Sequence, residues 1–457
     1  MANYPQLDNA SGVWNLREVY DAVMGGYWPN ANNRAIVAGG FTPSYTSTIE
    51  HFSMITSGDS TVFGDLSNSR GEFGAMSNFT RCIFAGGNSA VSPNSTNIID
   101  YVQFNTTGNA ADFGDLGAAT YRSTGTGGNA TRGIVTEGNS DGDQLQFITP
   151  TTLGSAIDFG NRTVSGTYVA GVTSPTRVCF GGAFTPSVSN IIDFVEIATT
   201  GNAIDFGDYT FQNGDQGIAW QATVSNNVRA VTSGGTINAS APNFTGVGDH
   251  TKEMNYITIA TTGNSTYFGD LDATLGRTDG ASRTSHSGWA DTTRGLFFGG
   301  IYRNATSTNG NIYPTTIDYI TIDTPGGSTD FGELTGQGAS GSACGNNTRA
   351  LVHKGSDGGT MKTIDYVTIA TTGNAIDFGD LAVGRTSTSA ASNTTKATFV
   401  GGINISYSSG YRVRNEIEIV SIDTPGNATD HGDIRDFIGS GTNLNTAYMA
   451  GLSGNAA

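Results

Sequence analysis

Aspartates that recur after a glycine are the first residues in this sequence whose type and spacing could do chemistry. They are Asp65, Asp115, Asp208, Asp270, Asp380 and Asp433. Glycoside hydrolysis needs one placed pair of carboxyl groups with separated pKa values, one acting as acid and the other as base or nucleophile. A series of equivalent aspartates does not supply such a pair. The pattern therefore predicts structural aspartates that cap turns.

Metal-ion chemistry also lacks its pattern. The five histidines do not have the spacing of metal ligands. They are His51, His250, His286, His353 and His431. The sequence SDGDQ at 140–144 is similar to part of a calcium loop, but it is too short and lacks the later acidic ligand, so we predict a turn. We predict no catalytic residue, no metal and no cofactor, and we expect a protein that is not an enzyme.

The composition favours a folded, β-rich protein. The 457 residues include 65 glycines and only 13% charged residues, but 23 Phe and 17 Tyr are enough to build a core. The net charge of −17 would repel a phosphate backbone, so we expect no nucleic-acid partner. Cys82 and Cys179 lie in apolar runs, which favours buried thiols over a disulfide framework.

The sequence contains no signal for a membrane or for export. No apolar stretch approaches the roughly 18 residues that cross a bilayer, so we expect no membrane insertion. The first residues, MANYPQLDNASG, lack the basic and apolar regions of a signal peptide.

One unit of sequence is repeated along the chain. The twelve residues IATTGNAIDFGD occur at 197–208 and again 172 positions later. They belong to a unit that occurs eight times, and in every copy 14 positions separate the first apolar residue from a Phe (His431 in the last copy). The units span 49–66, 99–116, 145–162, 192–209, 254–271, 317–334, 364–381 and 417–434. Such repetition indicates a structural unit rather than a catalytic motif.

Each unit predicts a β-hairpin. Segments such as IDYVTI and AIDFGDL have the β-branched and aromatic residues of short strands. The intervening TTGN, TPGN or TPGG predicts a tight turn, because proline presets φ and glycine supplies a positive φ. A fixed turn explains the fixed length, since a slip of one residue would invert every side chain.

A second element precedes each hairpin. It consists of a basic residue, a four-residue apolar strand and glycines, as in RAIVAGG (34–40) and RGLFFGG (294–300). A small-residue stretch such as 385–395 comes before it, and a degenerate ninth copy, TAYMAG, lies at 446–451. The repeat of about 53 residues therefore contains four predicted strands.

This pattern resembles the kelch repeat, with a Phe where most kelch repeats have a Trp. The resemblance implies an all-β fold, a kelch-like β-propeller of about eight four-stranded blades over 34–457, with 1–33 outside it. There are eight hairpins but nine Gly-Gly-type strands. We expect 436–451 to complete the blade that begins at residue 34, which leaves one strand unassigned.

The N-terminal segment belongs to no repeat. In residues 12–28, Val13, Leu16, Tyr20 and Val23 have helical spacing, and Gly25-Gly26 ends the run, so we predict a short helix that caps or attaches the propeller. This segment, placed before Gly/Asn/Thr-rich FGDL repeats, resembles virion appendage and tail proteins of marine bacteriophages. The resemblance implies contacts with other virion proteins through four residues: Trp14, Leu16, Tyr20 and Trp28.

The connections between the Gly-Gly strand and the hairpin vary in length, from 7 to 19 positions. Varied loops on a rigid scaffold are where binding usually occurs. Aromatic side chains there can stack on sugar rings or anchor a protein interface. The candidate partner- or glycan-binding residues are Tyr45, Phe244, Tyr302, Tyr313, Tyr407 and Tyr411.

Three functions remain open on sequence grounds. The first is a virion structural protein, oligomeric within the particle: a propeller module of a tail fibre or a tail or head appendage that contacts the host surface, a host glycan or virion proteins. The second is a lectin-like adhesin, either secreted or on a bacterial surface. The third is a propeller hydrolase or oxidase, which the residues do not favour, because neither the Asp-box repeats of sialidases nor the residue set of copper-radical oxidases is present.

Overall fold

The structure is a computed structural model that describes residues 34–433 with short gaps. The gaps are 41–43, 54–59, 72, 78–79, 90–94, 105, 121–125, 130, 137–141, 166–169, 175, 185–187, 213–217, 219–220, 227, 236, 238–249, 272–282, 304–310, 358, 393–394, 405–411 and 414–415. The described residues form antiparallel β-sheets and contain no helix.

Each of the first four blades is one antiparallel sheet whose strands follow chain order outward. Blade 1 contains β1 (Arg34–Ala38), β2 (Thr48–Ser53) and β3 (Thr61–Asp65), and blade 2 contains β5 (Gly74–Ser77), β6 (Arg81–Ala85), β8 (Thr96–Gln103) and β9 (Ala111–Thr120). Blade 3 contains β10 (Thr126–Gly128), β11 (Gly133–Thr136), β12 (Gln144–Ile148) and β13 (Ile157–Asn161). Blade 4 contains β14 (Ala170–Thr173), β15 (Arg177–Phe184), β16 (Val188–Glu196) and β17 (Ile204–Asp208).

The other four blades repeat this topology. Blade 5 contains β18 (Ala222–Ser225), β19 (Arg229–Ser233), β20 (Glu253–Thr258) and β21 (Thr266–Asp270), and blade 6 contains β22 (Ser287–Ala290), β23 (Arg294–Phe298), β26 (Thr316–Thr321) and β27 (Thr329–Glu333). Blade 7 contains β28 (Ser342–Gly345), β29 (Arg349–His353), β30 (Thr363–Thr368) and β31 (Ile376–Asp380). Blade 8 contains β32 (Ser389–Ser392), β33 (Lys396–Val400), β36 (Glu416–Ser421) and β37 (Thr429–Asp433).

Three two-stranded ribbons accompany the blades. They pair β4 (Arg70–Gly71) with β7 (Asn88–Ser89), β24 (Tyr302–Arg303) with β25 (Asn311–Ile312), and β34 (Ile403–Asn404) with β35 (Arg412–Val413). The β24–β25 and β34–β35 ribbons extend the connections between the second and third strands of blades 6 and 8.

The same β-bulge occurs in the outer hairpin of every blade. In blade 1, Ile49 pairs with Gly64 and Glu50 pairs with Val62, so Phe63 has no partner residue. The corresponding register shift is present in all eight hairpins. A bulge bends the outer strand and turns one side chain inward. The invariant spacing of 14 therefore reflects the bulge as well as the turn.

The hydrophobic core lies between neighbouring blades. Phe63 of blade 1 shares a buried cluster with Phe84 and Val102 of blade 2. Phe378 of blade 7 packs in the same way with Phe399 of blade 8. One blade alone could not bury its faces, so each sheet depends on the sheet beside it.

These sheets confirm the predicted all-β propeller of eight blades and the predicted order of strands. Seven blades have four strands, and blade 1 has three in the described part of the chain. The predicted N-terminal helix and the segment 436–451 lie outside the described residues. Cys82, Cys179 and Cys344 are free and buried, as predicted for the first two, and burial raises the pKa of each thiol to about 12.

Candidate functional site

The antiparallel order of strands divides the connections between two faces of the propeller. The connections between second and third strands and the links from one blade to the next emerge on one face, which we call the loop face. The hairpin turns between third and fourth strands and the turns between first and second strands emerge on the other, the turn face. Backbone hydrogen bonds across the loop face confirm this grouping, since Gly40 N donates to Arg70 O and Gly300 N donates to Gly338 O.

On the turn face, each hairpin turn docks on the preceding blade. In the first such blade joint, Gly108 N donates to Phe63 O at 2.7 Å and Ala110 N donates to Asp65 O at 2.8 Å. The second of these bonds recurs at all seven joints between consecutive blades in the described region. The turn glycine and the residues after it are thus hydrogen-bonded to the FGD segment of the preceding blade.

An amide side chain closes the joint. Asn109 Oδ1 accepts the backbone N–H of Asp65 at 3.1 Å. Equivalent bonds join Asn161 to Asn202, Asp208 to Asn264, Glu333 to Asn374 and Asp380 to Asn427, and Ser155 Oγ takes the place of the amide at Asp115. The twelve-residue repeat therefore contains both sides of this contact. Its TTGN turn docks on the preceding blade, and its FGD segment accepts the turn of the following blade.

The repeated arginine forms a second link between blades. Arg294 lies 5.0 Å from the ring centroid of Tyr319 in its own blade, and its Nη1 donates to Ile369 O of the next blade at 2.7 Å. Five other arginines make both contacts, with hydrogen bonds of 2.9–3.1 Å: Arg81, Arg132, Arg177, Arg229 and Arg349. A cation–π contact and a charge-assisted hydrogen bond together stabilise the joint.

The acidic residue of the third strand holds the link that enters its blade. Asp100 is fully buried and accepts hydrogen bonds from Ser67 N at 3.0 Å and Arg70 Nη1 at 2.8 Å. Asp193, Asp318, Asp365 and Glu418 make equivalent bonds to their own links. Burial raises the pKa of Asp193, Asp365 and Glu418, against the opposing effect of these partners. Each of these five acids therefore bonds to an arginine or a backbone amide of the link that enters its blade.

The turn-capping role predicted for the acid after the glycine is wrong for the residues whose side-chain bonds are described. Asp270 and Asp380 pair with Lys252 and Lys362, each at 2.8 Å. The aspartate two residues before the glycine makes a local bond instead, as Asp330 Oδ1 accepts Gly332 N at 2.9 Å within the bulge of β27. The acid after the glycine contributes its backbone N–H and C=O to the joint.

The predicted recognition residues lie on the loop face where the structure describes them. Tyr45 is half-buried beside Gly71, with its ring 3.4 Å from the position of a Cβ on that glycine. Tyr313 is half-buried after β25, and Tyr302 lies in β24. Phe244, Tyr407 and Tyr411, like Trp14, Leu16, Tyr20 and Trp28, lie outside the described residues.

Three serines on the loop face have an uncommon backbone conformation. Ser285, Ser340 and Ser387 have φ values of 55°, 53° and 56°, in the left-handed region that favours glycine. They occupy equivalent positions in the links that enter blades 6, 7 and 8. Ser340 N donates to Ser285 O at 3.0 Å and Ser387 N donates to Ser340 O at 3.1 Å, so they form a continuous row. Sequence reasoning missed this row, because no residue type marks it.

Two of the histidines are buried beside this row. His353 Nδ1 lies 3.0 Å from Thr388 Oγ1, and its Nε2 lies 3.1 Å from Met361 O. Burial lowers the pKa of His353 to about 4, and it lowers the pKa of His286 well below its usual value. Among the described residues, no group of three or more His, Cys, Asp or Glu side chains is placed to hold a metal ion.

The chain matches no model of a known protein family and no curated protein. Among solved structures, it is similar to the computationally designed Ika8 protein, with 11% sequence identity and a TM-score of 0.49 over 80% of this chain and 90% of that one. No helix in the described ranges is long and apolar enough to cross a membrane.

Proposed function

We propose that this chain is a structural protein of a phage virion, in which the propeller is a module of a tail fibre or of a tail or head appendage. The observation that carries the proposal is the difference between the two faces, one uniform and one variable. In the described part of the chain, seven blade joints occupy the turn face with near-identical backbone contacts, whereas the connections of the loop face differ in length and composition. Variable loops on a rigid scaffold are where binding residues commonly lie.

The N-terminal resemblance supports the virion assignment. Residues 12–28 are similar to segments of marine phage appendage and tail proteins, and we propose that they attach the propeller to other virion chains. The basic residue, apolar strand, Gly-Gly and acidic–aromatic pair support a kelch-like repeat. Because the recurring arginines and acids of these repeats bond within and between blades, we assign them no catalytic role.

Mass spectrometry of purified virions tests the assignment directly. We expect peptides of this chain in intact particles. A variant that lacks residues 1–33 should remain a folded propeller, shown by its circular dichroism spectrum, but should be absent from particles. Normal incorporation of the truncated chain would contradict the attachment role, and detection of the chain on bacterial cells instead of virions would favour the adhesin.

A pair of matched variants tests the loop face. In one, alanine replaces Tyr302, Tyr313, Tyr407 and Tyr411. In the other, alanine replaces four exposed threonines at equivalent places in the hairpin turns: Thr107, Thr200, Thr262 and Thr372. We expect the tyrosine variant to lose host adsorption or particle assembly and the threonine variant to keep both. The reverse result would place recognition on the turn face.

A further inference from the structure

A buried amide lies between blades 4 and 5, at the place where other blades have a buried acid. Asn255 of β20 pairs with Thr232 of the second strand, as Asp100 of blade 2 pairs with Phe84. Asn255 is 2% exposed, and within the described part of the chain neither its Oδ1 nor its Nδ2 has a hydrogen-bond partner. An unpaired buried polar atom is costly and rare in a folded protein, so this amide indicates a site for a hydrogen-bonding ligand.

The link that enters blade 5 directs its main-chain donors elsewhere. In four other blades, the residue two positions after the FGD acid or its equivalent donates to the third-strand acid. The corresponding residue of blade 5 is Thr210, whose N–H donates to Ser265 Oγ at 3.0 Å and whose hydroxyl donates to Ser265 O at 2.6 Å. Gln212 N donates to Glu253 at 2.9 Å. None of these bonds reaches Asn255.

The same link also lacks the arginine that other blades supply. In blades 2, 6 and 8, an arginine four residues before the first strand donates to the third-strand acid. Ile218 has this position in blade 5, and its N–H donates to Ser189 O at 3.2 Å, as Arg70 N donates to Thr46 O. The link 209–221 contains no arginine or lysine. The buried side chain of Ile218 can replace the apolar stem of an arginine, but it has no N–H group for the amide.

Hydroxyl groups lie in the same row of the sheet as Asn255. Thr232 Oγ1 is 3.3 Å from Thr223 Oγ1 and 3.5 Å from the hydroxyl oxygen of Tyr209. Both distances exceed the usual range of an O–H···O hydrogen bond. These three hydroxyl groups therefore retain hydrogen-bonding capacity beside the amide.

We infer that ordered water molecules occupy the place of the guanidinium group between blades 4 and 5 and bind Asn255. In blade 2, the guanidinium of Arg70 donates to Asp100 Oδ2 at 2.8 Å and to Phe84 O at 3.3 Å. The corresponding acceptors in blade 5 are Asn255 Oδ1 and the carbonyl oxygen of Thr232. Water can donate to both of them and can also accept from Asn255 Nδ2, which a guanidinium cannot do.

Water fits this site better than an ion. The amide is neutral, so it would not balance a buried charge, and the cost of burying an unpaired charge is high. Buried waters typically make about three hydrogen bonds to polar groups that otherwise have no partner. The site is independent of the proposed virion role.

A crystal structure of the full chain at about 2 Å resolution or better tests the site. We expect ordered waters within about 3.2 Å of both Oδ1 and Nδ2 of Asn255. The same map provides a control at Asp100, where Arg70 should make the direct contact without an intervening water. An amide that hydrogen-bonds directly to protein atoms, or a side chain of the link in place of the waters, would overturn the inference.

A double variant tests whether the site has the size and position of a guanidinium group. Ile218→Arg combined with Asn255→Asp should form an ion pair like that of Arg70 and Asp100 and displace the waters. Either substitution alone leaves a buried charge without a partner, so it should raise the unfolding equilibrium constant by on the order of 100-fold. The double variant should recover at least about tenfold relative to each single variant. A double variant less stable than both would overturn the inference.

The reciprocal change in blade 2 is the matched control. Arg70→Ile combined with Asp100→Asn should place a hydrated amide between blades 1 and 2, visible as new ordered waters in its crystal structure. If these variants do not fold, the crystal structure of the unchanged chain decides the question.

Discussion

Gly269 of blade 5 lies directly against Gly326 of blade 6. A Cβ on Gly269 would stand 2.1 Å from the carbonyl oxygen of Gly326, whereas a Cβ on Gly326 would meet no atom within 4 Å. The contact is one-sided because the FGD glycine is covered by the turn that docks on it. The same contact joins Gly64 to Gly108 and Gly379 to Gly426. Glycine at these places is therefore required by the approach of two backbones.

The two glycines of this contact should respond differently to alanine. Gly269→Ala introduces a clash with backbone and strains a residue at φ +153°, so it should lower the free energy of unfolding by about 3 kcal/mol. Gly326→Ala, with open space and no left-handed φ, should change it by less than about 0.5 kcal/mol. Urea unfolding followed by tryptophan fluorescence measures both. Equal losses would show that the turn, not the joint, requires glycine.

The amide of the joint should be replaceable by a hydroxyl but not by a methyl group. Asn374 Oδ1 accepts Glu333 N, and Ser155 makes the same bond in blade 3. Asn374→Ala should cost about 1 kcal/mol in the free energy of unfolding, and Asn374→Ser should restore most of it. A serine variant no more stable than the alanine variant would contradict the assignment of the bond.

Removal of one partner from a buried ion pair should be costly. Arg70 and Asp100 are both fully buried, with Nη1 and Oδ2 2.8 Å apart, and burial lowers the pKa of Arg70. Asp100→Ala leaves the guanidinium without its carboxylate and should cost about 3–5 kcal/mol. Adding Arg70→Met to that variant should recover a large part of the loss, because the uncompensated charge disappears. If the double variant is the less stable of the two, the pair contributes through packing alone.

The buried imidazole of His353 should make stability fall with decreasing pH. Its folded pKa of about 4 lies below the usual 6.5, so its contribution is complete above pH 6.5 and is lost as pH falls towards 4. Between pH 7 and pH 5 this loss amounts to about 2 kcal/mol. His353→Gln should lower the slope by this amount, while the part due to buried His286 remains, and the control His51→Gln at a partly exposed site should keep the slope of the unchanged protein. Urea unfolding at both pH values compares the three proteins, and identical slopes would contradict the assignment.

Local sequence determined the strands, their order and the number of blades. The β-branched and aromatic alternation of IDYVTI, the turn sequence TTGN and the glycine after each apolar strand are local features, and their repetition counts the blades without any tertiary information.

Tertiary structure decided what the repeated residues contact. The bond from Asn109 to Asp65, the hydrogen bond of Arg294 to Ile369 and the bulge at Phe63 join residues of different strands or blades, and no local pattern specifies such partners. The row of left-handed serines also required the fold. Residues tens of positions apart, such as Asn226 and Asp323 with a separation of 97, become neighbours only when the fold places consecutive blades side by side.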